Sequence, residues 1–478
     1  MVDGSSGASH GAVIAPIPPI SRVVTIAAAA AMGGFLFGFD TAVINGAVGA
    51  IGRWSGVGDF QLGFSVASAL LGCAVGAWFA GPISAKLGRI TVMKYAALLF
   101  FITSLACGLV WDIWSLTIFR LIGGLAVGAA SVIAPAYIAE VSPASIRGRL
   151  GSLQQLAIVL GIFVSLLSNY ALAQAAGGAG NVLWLGLEAW RWMFIAECIP
   201  ALIYGVLAFM IPESPRFLVG KGRLDEAARV LEHYVGGSIE EKITEIRSTL
   251  STESKQSVAV LRGPSGKLLP VVIVGISLSV FQQFVGINVI FYYSTMLWEA
   301  VGFQESDALL TGVITAVTNI ATTLVAIALI DKVGRKPLLL IGSVGMALTL
   351  GTMAFIFGTA PTIVTEAGST QPVLGDTAGI VAVVAANLYV VFFGMSWGPV
   401  VWVLLGEMFS NKIRAYAIAI AGAAQWIANF IVSQTFPPLA GVSLGLAYGI
   451  YTTMAILSFL FVAKFIRETR GKELEEME

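Results

Sequence analysis

Ala31-Met-Gly-Gly-Phe-Leu-Phe-Gly-Phe-Asp40-Thr-Ala-Val-Ile44 is a run of apolar and small residues interrupted by a single acid. It belongs to an apolar stretch near 22–48, which suffices to cross a bilayer as a helix, for which about 20 residues are needed. A carboxylate inside such a span costs roughly 2.5–3.5 kcal/mol on insertion scales, so Asp40 asks for a role. A second charge of this kind, Arg120, falls within or at the edge of the fourth apolar stretch. One acid and one base in otherwise apolar spans predict an internal ion pair, and a protonatable one.

The composition carries the membrane reading across the whole chain. Its 478 residues are 57% hydrophobic and 11% charged, with mean hydropathy +0.88, whereas soluble domains carry about 25% charged residues. Twelve apolar stretches are long enough to span, near 22–48, 61–84, 91–110, 113–139, 150–172, 190–211, 268–298, 308–330, 337–358, 379–405, 413–438 and 443–466. The first is not read as a cleaved leader, because it is too long, holds Asp40 and follows a Gly/Ser/Pro-rich start expected to be disordered over 1–21. Of the 27 Lys and Arg residues, Arg120 is assigned to a span and Arg53 and Arg191 to the outer side; the remainder fit loops or ends on one side. By the positive-inside rule that side is the cytoplasm, and both termini lie there.

Cys73, Cys107 and Cys198 sit in apolar stretches and read as small buried hydrophobes, with neither metal spacing nor a disulfide framework. His10 and His233 fall outside the spans. No Walker motif, nucleophile constellation or cofactor loop is present, so neither an enzyme nor ATP-driven transport is expected, and no cofactor or metal is implied. The small residues Gly123, Gly124 and Gly128 suit close helix packing instead.

The longest polar interval, 212–267, holds two segments with helical apolar spacing, Arg223 to Val235 and Ser238 to Arg247. It divides the chain into six spans (22–211) and six spans (268–466), with a tail at 467–478. The halves echo each other. Lys86-Leu-Gly-Arg89 corresponds to Asp331-Lys-Val-Gly-Arg-Lys336, and Glu140-Val-Ser-Pro-Ala-Ser-Ile-Arg147 to Glu407-Met-Phe-Ser-Asn-Lys-Ile-Arg414. Pro212-Glu-Ser-Pro-Arg216 is answered by Glu468-Thr-Arg-Gly471. Parallel six-helix repeats with a substrate site at the midplane between them are the plan of major facilitator transporters.

Further motifs make the likeness specific. Arg120-Leu-Ile-Gly-Gly124, Pro135-Ala-Tyr-Ile-Ala-Glu-Val-Ser-Pro143, Arg147-Gly-Arg-Leu-Gly-Ser-Leu-Gln-Gln-Leu156, Gln282-Gln-Phe-Val-Gly-Ile-Asn288 and Trp397-Gly-Pro-Val-Val-Trp402 resemble the sugar porters of the major facilitator superfamily from end to end. The nearest resemblance is to bacterial glucose–proton and xylose–proton symporters. It implies an all-α integral membrane protein with the major facilitator fold, twelve transmembrane helices in two halves, in the inner (plasma) membrane. The implied partners are a monosaccharide, protons and lipid, with no nucleic acid, and the implied working unit is a monomer. Two departures, Ala85 and Ile90 in the first loop motif and Arg467 in the last, bear on a cytoplasmic contact and leave the sugar site untouched.

A sugar presents hydroxyls that both donate and accept around an apolar face. Side-chain amides match hydroxyl pairs, and aromatic rings match the apolar face. Gln155, Gln282, Gln283, Asn288, Asn319 and Gln425 supply amides in four spans; Trp402 and Trp426 supply rings, with Phe37 and Tyr293 as weaker lining or gate candidates. A single amide serves equally well as interhelical glue; the resemblance favours sugar contact for these eight positions. Gly286, between the helix 7 amides, allows that helix to bend or break. On the cytoplasmic side Glu140 with Arg147, and Glu407 with Arg414, together with Arg89, Arg216 and Arg335, make a candidate gate whose ion pairs hold one conformation closed.

Burial raises a carboxylic acid's pKa and a nearby guanidinium lowers it, so an arginine that moves relative to Asp40 switches it between holding and releasing a proton. Uncoupled sugar porters tend to carry a neutral residue at this position, and the resemblance therefore favours symport. Glu197 in span 6 is a second intramembrane acid on a candidate proton route. The expectation is proton-coupled monosaccharide uptake, glucose before xylose, with a facilitator or a xylose–proton symporter as alternatives. A non-transporting sugar sensor is disfavoured by the short tail.

Overall fold

The computed structural model describes residues 14–16, 18–143, 147–253, 261–263, 265–364, 370–409 and 413–468. Twelve helices in it are long and apolar enough to cross a membrane. Spans 1 to 6 are Ile20–Ser55, Asp59–Leu87, Arg89–Gly108, Ile113–Val141, Leu153–Ala176 and Ala189–Met210. Spans 7 to 12 are Pro270–Ala300, Glu305–Ile330, Arg335–Thr359, Asp376–Glu407, Tyr416–Val442 and Leu444–Phe465. With twelve such helices the start of span 1 and the end of span 12 lie on one face, here called the basic face. Between the halves lie Pro215–Gly220, Leu224–Tyr234 and Ile239–Glu253, and Gly237–Ser238 of this linker pair antiparallel with Ile14–Ala15.

Small residues set how closely the spans approach. A Cβ at Gly72 would meet the Leu121 carbonyl at 2.0 Å, and one at Gly124 the Ala69 carbonyl at 2.1 Å. Spans 2 and 4 therefore pack backbone to backbone, as small residues permit where burial of apolar surface gives no drive. Of the glycines expected at this seam, Gly124 and Gly128 lie on it, while Gly123 faces Thr103 of span 3. Span 5 approaches span 1 in the same way, Gly161 against the Phe35 carbonyl at 2.1 Å. There Ser165 donates to the Phe39 carbonyl (3.0 Å) and Asn169 to that of Val43 (3.0 Å). The turn that carries Asp40 is thus fastened on both sides.

Span 7 is two helices, Pro270–Phe284 and Ile287–Ala300, and span 10 is likewise Asp376–Gly394 and Trp397–Glu407. The break in span 7 falls where Gly286 takes a left-handed conformation (φ 87°), as the position of that glycine between the amides predicts. Span 6 also divides, at Glu197. In hydrocarbon a broken helix is tolerated only where the freed backbone groups find partners inside the protein. Here Tyr389 donates to the Val285 carbonyl at 2.7 Å.

On the basic face the sequence repeat becomes a repeated geometry. Arg89 Nη2 lies 2.8 Å from Glu140, and Arg335 Nη2 lies 2.7 Å from Glu407. The carboxylate of Glu213 accepts from the backbone N–H groups of Arg89 (3.0 Å) and Ile90 (3.2 Å) at the start of span 3. Glu468 accepts from those of Arg335 (3.0 Å) and Lys336 (3.0 Å) at the start of span 9. Each acid satisfies two orphan donors and complements the positive end of the helix dipole. At the departures from the family pattern the contact survives, because Ile90 supplies only its backbone N–H. Arg216 lies 4.0 Å from Glu140. Each of these pairs stays within one half or joins it to the linker, and the side chains of Arg147 and Arg414 lie outside the described residues.

Two outcomes follow from these contacts. A Cβ at Gly286 would sit 2.9 Å from the Tyr451 ring, on top of a left-handed penalty of about 1–2 kcal/mol. Gly286→Ala is therefore expected to lower the thermal midpoint in detergent and to reduce substrate binding. Glu213→Ala and Glu468→Ala each remove a helix cap, a loss of about 0.5–2 kcal/mol. The two variants should lower the midpoint by similar amounts, because they do the same job in the two halves.

Candidate functional site

The amides expected to hold a ligand gather at the two helix breaks. Gln282 Nε2 donates to the carbonyls of Trp397 (2.9 Å) and Gly398 (3.1 Å), joining the break of span 7 to that of span 10. Gln283 Nε2 donates to Gln282 Oε1 (3.4 Å) and Asn288 Nδ2 donates to Gln283 Oε1, so three amides form one chain across Gly286. The indole of Trp397, fully buried, donates to Ser343 at 3.0 Å and fixes the start of the second helix of span 10. Asn319 is buried in span 8, and a Cβ at Gly394 would lie 3.6 Å from its Oδ1, so it rests on the same break.

The remaining expected positions surround this network without bonding to it among the described residues. Gln425 is half-buried in span 11, with its Oε1 buried and without a partner among those residues. Trp426 meets Phe37 of span 1 edge-on, ring centres 5.5 Å apart, which is where the two halves touch near mid-membrane. Gln155 is half-buried in span 5, and its neighbour Gln154 is the more buried of the two. Trp402, on the basic-face side of span 10, is 45% exposed. Tyr293 is buried and donates to the Ser433 carbonyl at 2.7 Å, away from the amide chain.

Asp40, Arg120 and Glu197 are all buried in the N-terminal half. The direct ion pair expected between Asp40 and Arg120 is not formed. Asp40 Oδ2 and Arg120 Nε and Nη1 have no hydrogen-bond partner among the described residues, and Arg120 Nη2 reaches only the Val66 carbonyl, at 3.5 Å. The Arg120 guanidinium sits 5.7 Å from the Phe194 ring centre, a cation–π distance that partly replaces the missing anion. Asp40 still lies within electrostatic reach of Arg120 and Glu197. Glu197 Oε2 accepts from Ser104 at 2.8 Å, while its Oε1 is unpartnered among the described residues. An acid and a base sharing a low-dielectric site without contact are each stabilised by a change of protonation, partner or position. The same residues contain no group of three or more His, Cys, Asp or Glu placed to hold a metal.

The seam between the halves is a feature the sequence reading missed. Asn45 Nδ2 donates to Ser294 Oγ (2.7 Å) and its Oδ1 accepts from the Thr295 N–H (2.9 Å). Gln434 donates to the Phe60 carbonyl at 2.9 Å, and Arg53 lies 3.5 Å from Glu305. Among the described residues, all polar contacts between the halves lie toward the face opposite the termini. The halves are therefore closed against each other on that face. Asn45, five residues beyond Asp40, had one available signal: it is the side-chain amide of the first apolar stretch.

The family model "Sugar (and other) transporter" matches residues 26–478. A "Glucose transport protein" from Synechocystis is 57% identical over 460 residues, covering 96% of this chain and 97% of that one. The "D-xylose-proton symporter" of Escherichia coli K12 is 40% identical over 494 residues, covering 96% and 95%. The solved inward-open conformation of the xylose transporter XylE from E. coli matches with TM-score 0.79 at 38% identity, covering 95% of this chain and 99% of that one. The structure of XylE bound to 6-bromo-6-deoxy-D-glucose matches at 0.76, covering 96% and 98%. With twelve spans in two repeated halves, broken spans 7 and 10 and a match over nearly its whole length, the chain belongs to the sugar transporter family of the major facilitator superfamily.

Proposed function

We propose that this chain imports a monosaccharide, D-glucose first, together with protons by alternating access. The observation that carries the reading is the buried Asp40, unpaired but close to Arg120, in the half that faces an amide-lined break. Sugar enters between the halves and is held mainly by the C-terminal half, through the amides at the breaks of spans 7 and 10 with Gln425, and by stacking on Trp402 or Trp426. Gln155 completes the site from the N-terminal half. Asp40 carries the proton, Arg120 expels it on approach, and Glu197 extends the route. The basic face is cytoplasmic, so closure by Asn45 and Arg53 makes this conformation inward-facing, in keeping with the likeness to inward-open XylE. Ion pairs of Glu140 and Glu407 with Arg89, Arg147, Arg216, Arg335 and Arg414 rearrange as the cytoplasmic side closes. The unit acts as a monomer in the inner membrane and uses no cofactor.

Glucose is placed before xylose because the relative named for glucose transport is the more similar. Xylose–proton symport is the second reading, supported by the 40% identical symporter.

Two measurements in proteoliposomes test this. Asp40→Asn should abolish sugar accumulation driven by an imposed pH gradient while leaving counterflow; full accumulation by that variant would refute proton coupling through Asp40. Gln425→Ala removes an amide that pairs with sugar hydroxyls, a loss of about 1–2 kcal/mol. It should raise the half-saturating sugar concentration by about five- to thirtyfold, whereas unchanged uptake kinetics would remove Gln425 from the site.

A further inference from the structure

A small cavity, scarcely larger than one water molecule, is bordered by Arg120 and by Thr41, the neighbour of Asp40. Its walls include Thr41 (next to Asp40), Val66, Leu70, Cys73 and Arg120, all from the N-terminal half, and Tyr292 from span 7. Tyr292 is thus the side chain by which the C-terminal half reaches the proton site. It is buried, with Asp40, Cys73 and Arg120 within electrostatic reach.

The phenol is tied at its other side to span 11. Asn429 Nδ2 donates to Tyr292 Oη at 3.3 Å, and Ser433 Oγ donates to Asn429 Oδ1 at 3.2 Å. Both amide groups of the buried Asn429 are therefore engaged. Residues 425, 429 and 433 are four apart and share one helix face. Asn429 stands one turn from Gln425 and next in line to Trp426, which touches span 1 through Phe37. With its oxygen accepting from Asn429, Tyr292 keeps its own proton available to donate. An ionised carboxylate only accepts, whereas a protonated one also donates. Tyr292 lines the cavity beside Arg120 with Asp40 in electrostatic reach, so its hydroxyl stands in a different field in each protonation state of Asp40.

We propose that Tyr292 is a positioning residue that couples the two sites. Its hydroxyl, held by Asn429, links the protonation state of Asp40 beside Arg120 to the position of the span that carries Gln425 and Trp426. This rests on the proton-carrier reading of Asp40 given above. Displacement of span 11 by bound sugar moves the hydroxyl relative to the cavity, and loading of Asp40 biases span 11 in return, as linkage requires. The titratable or charged groups that line the cavity beside Tyr292 are Cys73 of span 2 and Arg120 of span 4; Asp40 of span 1 acts on Tyr292 electrostatically, and Glu197 of span 6 acts on Asp40 and Arg120.

Tyr292→Phe removes the hydroxyl and keeps the ring. In proteoliposomes it should keep glucose counterflow within about twofold of the unmodified protein, while the accumulation ratio under an imposed pH gradient falls by about fivefold or more. The pH dependence of the half-saturating sugar concentration should flatten. Asn429→Ala should reproduce this pattern, and the double variant should add nothing, as residues acting through one bond are non-additive. Unchanged accumulation in both single variants would overturn the proposal. Equal loss of counterflow and accumulation would also overturn it, since that marks a packing role. Asp40→Asn measured in parallel separates the two readings: if it accumulates fully, the proton-carrier reading itself fails. If it is uncoupled while Tyr292→Phe is not, only the Tyr292 link fails.

Discussion

The side-chain amide of Gln282 donates to the backbone carbonyls of Trp397 and Gly398 in the first turn after the break in span 10, and so ties the break of span 7 to that of span 10. The site depends on that tie. In a hydrocarbon solvent a backbone group freed at a helix break has no water to turn to, so broken helices persist only where side chains of the protein supply the partners. Satisfaction here is local and directional: Gln282 joins the breaks, Tyr389 takes up the Val285 carbonyl, and Trp397 anchors on Ser343. The side chains that stabilise the breaks are also the ones that present amides at mid-membrane. Structural glue is the use the hydrogen bonds show for these residues, and substrate recognition is the use proposed for the same network.

The N-terminal half solves the opposite problem. Its spans 1, 2, 4 and 5 are continuous and approach closely through glycine, which makes a stiff frame. Into that frame are set Asp40 and Arg120, near each other but unpaired. Burying separated charges is expensive, and each can be stabilised by moving, by exchanging a proton or by meeting a ligand. One half thus carries a buried acid and base between closely packed helices, and the other carries amides at broken helices, the division on which the proposed coupling rests. The closed seam at Asn45, Gln434 and Arg53 holds this conformation without engaging either site directly.

Much of the fold was legible along the chain because a bilayer imposes a one-dimensional rule on length and apolarity. The twelve spans, the six-plus-six repeat and the break at Gly286 all follow from local composition, residue spacing or one glycine between polar neighbours. The repeated acids Glu213 and Glu468 were visible as a pattern, but their task of capping spans 3 and 9 needed the helix starts to be placed beside them. Gln154 and Gln155 show the limit at the site: adjacent residues on a helix point about 100° apart, and only packing against span 1 decides which is buried. Asn45 was passed over because a lone amide in an apolar stretch has no local signature of its partner, here about 250 residues away in sequence.

Read along the chain alone, apolar length and the repeated loop motifs settled that this is a twelve-span transporter-type fold and which residues are too polar for their surroundings. Those properties belong to single segments and need no knowledge of neighbours. Which of those residues meet was decided only when spans from both halves packed together. The charges of Asp40 and Arg120 predict a pair, yet this conformation keeps them apart, while Gln282 binds backbone and Tyr292 reaches across the halves. Contacts between distant segments depend on the rotation and separation of rigid helices, and in this fold those change with the state of the transporter.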